Sequence, residues 1–458
     1  GNIRLVMEAL HERGLLLKNA PHLVHNLSFI IPYYKRWQGP FYMIGLKWYD
    51  LLAGRLSLGK SMLLSGKTVM EKLPTVKRKG LKGGIMYHDG QFDDARLAVN
   101  MAQTAADNGA TLLNYCKVTG LIKQENGVIT GVVAEDKETR KHYRLFSRTV
   151  VNATGVFVDE ILQMDIPRAK PIVRPSQGIH IVLDRSFLQS DYAVMIPKTS
   201  DGRVLFAVPW HHKVLVGTTD TPLPEHSLEP KALEEEIDFI LKTAGAYLAH
   251  EPQRKDVRSV FAGLRPLAVF RKNPNSTKEI SRSHKILLAP SGLLTITGGK
   301  WTTFRRMAQD TLDKLIETAK LPAVKCTTET LKIHGHQINS RQEENTLEAG
   351  DPLDIYGSDA ASIRELILLQ PQLGEKIHPN TDYINAQVIW AVRKEMARTV
   401  EDVLARRLRA LFLDARTAVE MAPAVAKLMA PELGKEEGWQ YEQINIFTKL
   451  AGNYLLES

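Results

Sequence analysis

Four short segments combine small residues, glycines and isolated charges in ways that core packing does not require. In Val150-Val151-Asn152-Ala153-Thr154-Gly155 an apolar strand runs into a small, glycine-terminated turn. Small residues there let the backbone approach a bound group closely. Val214-Leu215-Val216-Gly217-Thr218-Thr219-Asp220 repeats the theme with hydroxyl side chains, although a polar hairpin end reads the same way. In Phe261-Ala262-Gly263-Leu264-Arg265-Pro266-Leu267 one arginine stands at an apolar strand end. A guanidinium there needs a carboxylate partner or faces a site that binds an anion bidentately. The richest segment is a strand over 293–297 followed by Gly298-Gly299-Lys300-Trp301-Thr302-Thr303-Phe304-Arg305. Strand, two glycines and a helix start, in that order, aim backbone N–H groups and the positive helix end at an anion or an electron-rich ring. Lys300 adds a mobile positive charge.

Gly54-Arg55-Leu56-Ser57-Leu58-Gly59-Lys60-Ser61 has the spacing of an ATP-binding phosphate loop. That loop needs a buried strand before it and free N–H groups around the phosphate. Residues 44–52 instead have helical spacing, and Leu56 and Leu58 fill the loop interior, so a helix–turn connection is expected. Cys116 and Cys326 form no ligand cluster and no disulfide framework, which points to two buried thiols in a reducing compartment. No metal site is expected.

The elements that must position these segments follow from periodicity. Ile3, Val6, Leu10 and Leu15 predict a helix over 2–18, stopped by Pro21. Residues 28–52 are aromatic and basic; they read either as helices packing on a core or as an interfacial surface of rings and Lys/Arg stems. A helix over 96–107 precedes a strand over 110–118. Asn126-Gly127 predicts a hairpin into the run 128–133, and 143–146 and 149–153 are further strands. Short β-rich runs at 179–183, 204–209, 214–218 and 286–289 make a mostly antiparallel sheet, with one helical stretch near 231–248. An amphipathic helix follows at 302–320, and the tail from about 330 is helical, patterned best at Val388, Val392, Val400 and Leu404.

The chain has 458 residues, 44% apolar and 24% charged, enough for two to four domains and too apolar for a disordered chain. Its net charge of +9 favours anionic partners. No nucleic-acid motif accompanies that charge, so no nucleic acid is expected. No run approaches the ~18 apolar residues of a membrane span, and no signal peptide is visible. An opening at Gly1-Asn2-Ile3-Arg4 leads us to expect a fragment of something longer.

The four segments, in this order, resemble the flavin-dependent glycerol-3-phosphate dehydrogenases and their oxidase relatives, within the glutathione-reductase-like flavoproteins. The resemblance runs from Gly1 to about residue 410. Its most specific parts are Asn2-Ile3-Arg4-Leu5-Val6, Asp89-Gly90-Gln91-Phe92-Asp93-Asp94-Ala95-Arg96-Leu97, Gly178-Ile179-His180-Ile181-Val182, Gly263-Leu264-Arg265-Pro266 and Gly298-Gly299-Lys300-Trp301-Thr302-Thr303. The tail from Trp390-Ala391-Val392-Arg393 to Thr399-Val400-Glu401-Asp402 is similar to the family's C-terminal cap. The family's Gly-x-Gly-x-x-Gly fingerprint and a substrate-facing Arg-Tyr pair are expected upstream of Gly1, and Val156-Phe157 stands where relatives usually have Pro-Trp.

The resemblance implies an α/β (α+β) fold: a glutathione-reductase-like FAD-binding domain from 1–165 and 286–325, an antiparallel β substrate domain over 166–285, and a C-terminal helical domain over 330–458. It implies FAD as cofactor, enclosed by Val118, Ala153, Gly155, Gly217, Thr218, Gly298, Gly299 and Thr302. It implies oxidation of sn-glycerol 3-phosphate to dihydroxyacetone phosphate. His180 is the candidate base, its unperturbed pKa of ~6.5 lying near working pH; a structural histidine in a sheet is the alternative. Arg265 and Lys300 would bind phosphate and developing oxyanion charge, with Lys300 alternatively facing the flavin ring, and Arg282 would be a second phosphate contact. Electrons would pass to a membrane quinone, or to oxygen in an oxidase, and a truncated non-catalytic fragment is a further alternative. The implied partners are glycerol 3-phosphate, that quinone, an anionic lipid surface and a second copy in a homodimer. The expected location is cytoplasmic, peripheral on the inner face of the cytoplasmic membrane.

Overall fold

The computed structural model describes residues 3–456, apart from 198, 200–201, 270–282 and 338–350. The strands in chain order are β1 (Val24–Tyr33), β2 (Met62–Ser65), β3 (Gly83–Phe92), β4 (Cys116–Lys123), β5 (Ile129–Asp136), β6 (His142–Phe146), β7 (Val151–Asn152), β8 (Val173–Asp184), β9 (Ala193–Ile196), β10 (Leu205–Trp210), β11 (Lys213–Gly217), β12 (Thr221–Pro222), β13 (Ser259–Ala268), β14 (Lys285–Leu288) and β15 (Leu294–Thr297). The helices are α1 (Ile3–Asn19), α2 (Gln38–Ala53), α3 (Gly66–Lys72), α4 (Asp94–Asp107), α5 (Val158–Asp165), α6 (Glu234–Tyr247), α7 (Phe304–Thr318), α8 (Ala360–Leu369), α9 (Asn385–Lys394), α10 (Ala410–Leu413), α11 (Ala415–Glu432) and α12 (Glu437–Ala451).

The largest sheet runs β12-β8-β11-β10-β9-β1-β3-β2, with β13 also paired to β8. Its pairs are antiparallel except β1 with β9. Period-2 alternation divides β8 between two environments. Ile179, Ile181 and Leu183 join Val214 and Val216 against Val69 and Leu73 at α3 and Ile237 and Ile240 of α6. Full burial of each such side chain contributes roughly 1.5–3 kcal/mol. That dry side makes the sheet a rigid platform, and the alternate residues of β8, His180 among them, are left for the other face.

A second sheet has the order β14-β15-β7, with β15 parallel to β7. A third is the meander β4-β5-β6, whose first turn carries Gly127 at φ 82°, as Asn-Gly predicts. The C-terminal helices enclose their own core around Val388, Leu404, Met421, Val425 and Phe447. This unit is tied to α4 by Arg96 and Glu395, both buried, which pair through both guanidinium amino groups, while Arg96 also stacks 4.4 Å over Tyr356.

Several expectations are corrected. Segments 24–33, 62–65 and 83–92, grouped by the resemblance with the FAD-binding part of 1–165, are strands of the large sheet. The reason is packing: Ile30, Leu64 and Met86 share one core with Ile179 and Val194. Residues 28–52 split between the strand β1 and the helix α2. The strand expected over 110–118 starts only at Cys116, because no described strand pairs with 110–114; Leu113 there is 63% exposed. The strand expected over 149–153 shortens to β7. The phosphate-loop lookalike follows α2 rather than a strand, and the Ser61 N–H is taken by Asp50 at 2.8 Å.

Candidate active site

Strands β8 and β13 are in register from Ser259 opposite Val182 to Ala268 opposite Val173. Directly opposed residues project to one face. Ser176, Gly178 and His180 therefore share a face with Arg265, Gly263 and Phe261. On the other edge of β8, Gly217 of β11 lies opposite His180 and Thr221 of β12 lies opposite Gln177. Residues 218–220, between those two pairings, leave the ladder.

The glycines make room for the two functional side chains. A Cβ at Gly217 would come within 2.2 Å of the His180 ring, and one at Gly178 within 2.3 Å of Arg265 Nη2. Gly263 faces open space. The His180 ring stacks on Phe261 with centroids 5.4 Å apart and planes 21° from parallel. Burial, and then the nearby Arg265 charge, push the His180 pKa down to about 4. The imidazole is therefore neutral at pH 7 but a weaker base than the near-neutral histidine the sequence suggested, because the fold disfavours its charged form.

Arg265 Nη2 donates to Thr218 Oγ1 at 3.1 Å, and Nη1 stands 3.7 Å from Asp220 Oδ1. Asp220 also accepts a hydrogen bond from Ser176 Oγ. The arginine has a carboxylate neighbour, as one reading of the sequence expected, and its side chain is 34% exposed. A half-open guanidinium beside a neutral imidazole can take an anionic substrate and a proton from the same molecule.

The other two motifs meet at the carboxyl ends of the parallel pair β7 and β15, the place where open α/β sheets bind ligands. Asn152 closes the first turn, its Nδ2 donating to the Val158 carbonyl at 2.9 Å and its Oδ1 accepting from Thr154 Oγ1 at 2.8 Å. Ala153 lies inside that turn, and Gly155 ends it at φ 63° with open space where a Cβ would be. In the second turn Gly298 and Gly299 have φ of 76° and 77°. Side chains there would strike the Ser283 carbonyl at 2.9 Å and the Met307 sulfur at 2.4 Å. Thr297 Oγ1, just before them, is buried with no hydrogen-bond partner among the described residues. The first turn is open where a side chain would stand and the second has room for none, so bare backbone, with the unsatisfied Thr297 hydroxyl beside it, is left for a bound group with polar edges.

Lys300 is half-buried and leads into the turn Trp301–Thr303, which contains Thr302. The start of α7 is pinned to α1 by Arg305 and Glu12, 2.8 Å and 2.6 Å apart at their two contacts. Gly298 also backs onto Ala268, the last residue of β13, so the two groups of motifs adjoin. The structure thus brings His180, Arg265, Gly217 and Thr218 together, and next to them Ala153, Gly155, Gly298, Gly299, Lys300 and Thr302. Val118 stands apart in the meander, joined to this region through the packing of β4 on α5. Arg282 lies outside the described residues. The sequence reading missed Ser176 and Asp220; the alternation Ser176-x-Gly178-x-His180 was the available signal.

A family model described as FAD dependent oxidoreductase matches residues 1–305. The chain belongs to this family. A second model, the C-terminal domain of alpha-glycerophosphate oxidase, matches residues 295–442 of this FAD-dependent oxidoreductase. A mitochondrial glycerol-3-phosphate dehydrogenase of Schizosaccharomyces pombe is 37% identical, over 94% of this chain and 75% of that protein. A probable one of Caenorhabditis elegans is 38% identical, over 96% of this chain and 63% of that protein. The membership thus extends to the glycerol-3-phosphate dehydrogenases, while the chain spans less than two thirds of the second relative's length. Among solved structures, a glycerol-3-phosphate dehydrogenase from Bacillus halodurans, complexed with FAD, superposes with a TM-score of 0.79 at 27% identity, covering 98% of this chain and 86% of that one. FAD is the family's cofactor, and the two glycine turns with Thr297 fit it.

Proposed function

We propose that this oxidoreductase oxidises sn-glycerol 3-phosphate to dihydroxyacetone phosphate. The observation that carries the reading is the placement of Arg265 and His180 on one face of the β8–β13 pair, beside the turns at 153–155 and 298–302. Arg265 binds the phosphate, with Lys300 as a second cation; Arg282, outside the described residues, is the further contact the resemblance implies. The neutral His180 ring accepts the proton of the secondary hydroxyl. FAD, when bound, supplies the hydride acceptor. Lys300 offsets the negative charge that develops on the oxygen as it loses its proton. The cofactor envelope comprises Ala153, Gly155, Gly217, Thr218, Gly298, Gly299 and Thr302, with Val118 at a distance along the meander.

Electrons then pass to a quinone dissolved in a membrane, and the face of α2 supports that choice. Trp37, Phe41, Ile44, Trp48 and Leu51 are each 59–70% exposed and recur at spacings of four and three, one stripe on one helix face. Lys35, Arg36 and Lys47 flank it. No described helix is long and apolar enough to cross a membrane. We place the protein peripherally on the inner face of an anionic cytoplasmic membrane. The oxidase reading is kept by the match of 295–442 to a glycerophosphate oxidase domain. Anaerobic addition of glycerol 3-phosphate to the full-length holoenzyme should bleach the flavin absorbance; an unchanged spectrum rules out the proposed substrate. Stoichiometric peroxide in air would favour the oxidase.

A further inference from the structure

One buried carboxylate behind the site has a role that the chemistry above does not use. Glu236, in the first turn of α6, is 4% exposed. Its Oε1 accepts from Thr219 Oγ1 at 2.8 Å and Thr221 Oγ1 at 2.6 Å, and its Oε2 from Gln177 Nε2 at 2.8 Å and the Leu233 N–H at 3.2 Å. These bonds occupy about four acceptor positions, the capacity of a carboxylate. All four donors are neutral. The site face and this carboxylate divide residues 218–221 between them: Thr218 and Asp220 contact Arg265, whereas Thr219 and Thr221 turn to Glu236. Thr219 Oγ1 further accepts from the Ile179 N–H at 3.0 Å, between Gly178 and His180 on β8. The segment has left the ladder here, so these side-chain bonds stand in for strand pairing.

We infer that Glu236 is a positioning residue for substrate phosphate: by gripping Thr219, Thr221 and Gln177 it holds Thr218 and Asp220 where they aim Arg265. The inference rests on the proposed role of Arg265 in binding phosphate. The test is a double-mutant cycle in the full-length holoenzyme, with steady-state kinetics on glycerol 3-phosphate, competitive inhibition by inorganic phosphate, and the melting temperature. Glu236→Gln is nearly isosteric but turns an amide donor toward other donors. It should raise the KM for glycerol 3-phosphate and the Ki of phosphate roughly tenfold or more, with a smaller fall in kcat, the pattern of lost binding rather than lost chemistry. In an Arg265→Ala background the same change should have little further effect, because the group it positions is gone. Equal, additive losses in both backgrounds, or an unchanged KM and Ki, overturn the inference. If Glu236→Gln does not fold, Thr221→Val removes one of the two Oε1 bonds, and the cycle with Arg265→Ala decides by the same criterion. Arg265→Ala that weakens glycerol 3-phosphate and plain glycerol equally would sink the phosphate reading itself, and the role of Glu236 with it; additivity alone sinks only the latter.

Discussion

The imidazole of His180 lies across the backbone of Gly217, so close that a β-carbon at 217 would stand 2.2 Å from the ring Cδ2. On its other side the ring is stacked against Phe261. It therefore has one position, set by a missing side chain and a flat neighbour. Gly217→Ala must push it away from the site. Displacing a reacting group by about 1 Å can cost ~10²-fold in rate. We expect kcat with glycerol 3-phosphate to fall by about that factor while KM changes less. A Gly217→Ala enzyme with normal kcat would remove His180 from the role of base.

The same enclosure sets a pH dependence. His180 has a pKa of about 4 in the folded protein, against ~6.5 for an unfolded histidine. The folded state thus resists protonation that the unfolded chain accepts, so stability is lost as pH falls from about 6.5 toward 4. The shift caps this loss at about 3 kcal/mol. His180→Asn should lack this component. Urea unfolding of both proteins across that range is the check: parallel stability curves for wild type and variant would mean that His180 titrates normally in the fold.

How far these features were legible depends on how far apart their parts lie. The Gly298-Gly299-Lys300 turn was readable because both glycines have positive φ, a local requirement that leaves a local mark. The hairpin at Gly127 was readable for the same reason. The grip of Glu236 on Gln177 spans 59 residues and leaves no mark at either end. Strand β1 was hidden differently. Its residues Ile30 and Ile31 are both buried, on opposite faces of the sheet, so the alternation that announces a half-exposed strand is absent. The strand expected over 110–118 failed in the opposite sense: its apolar residues are present, but no described strand pairs with 110–114.

Arg265 is the residue whose loss should separate substrates. Its guanidinium donates to Thr218, and about a third of its side chain is exposed. A charge-assisted bond to phosphate is worth roughly 1.5–3 kcal/mol. Arg265→Ala should therefore lower kcat/KM for glycerol 3-phosphate by about ten- to a hundredfold. Plain glycerol, with no phosphate, should be affected far less. Equal losses with both substrates would assign Arg265 to holding Asp220 and Thr218 in place.

The exposed stripe of α2 yields the last prediction. Trp37 packs edge-on to Phe41, with centroids 5.8 Å apart, and both rings remain largely open to solvent. Apolar rings flanked by Lys35, Arg36 and Lys47 match the headgroup layer of an anionic bilayer, where each basic residue adds ~1 kcal/mol and salt screens the attraction. Binding should weaken at high ionic strength but keep an apolar remainder from the rings. Replacing Phe41 and Trp48 with serine should cut that remainder sharply while leaving the salt-sensitive part. It should not disturb the core, since these side chains are 62% and 63% exposed. Co-sedimentation of the full-length protein with anionic vesicles at low and high salt separates the two contributions. A protein that stays in the supernatant at low salt has no such surface, and an acceptor dissolved in water, oxygen above all, then becomes the better account of where its electrons go.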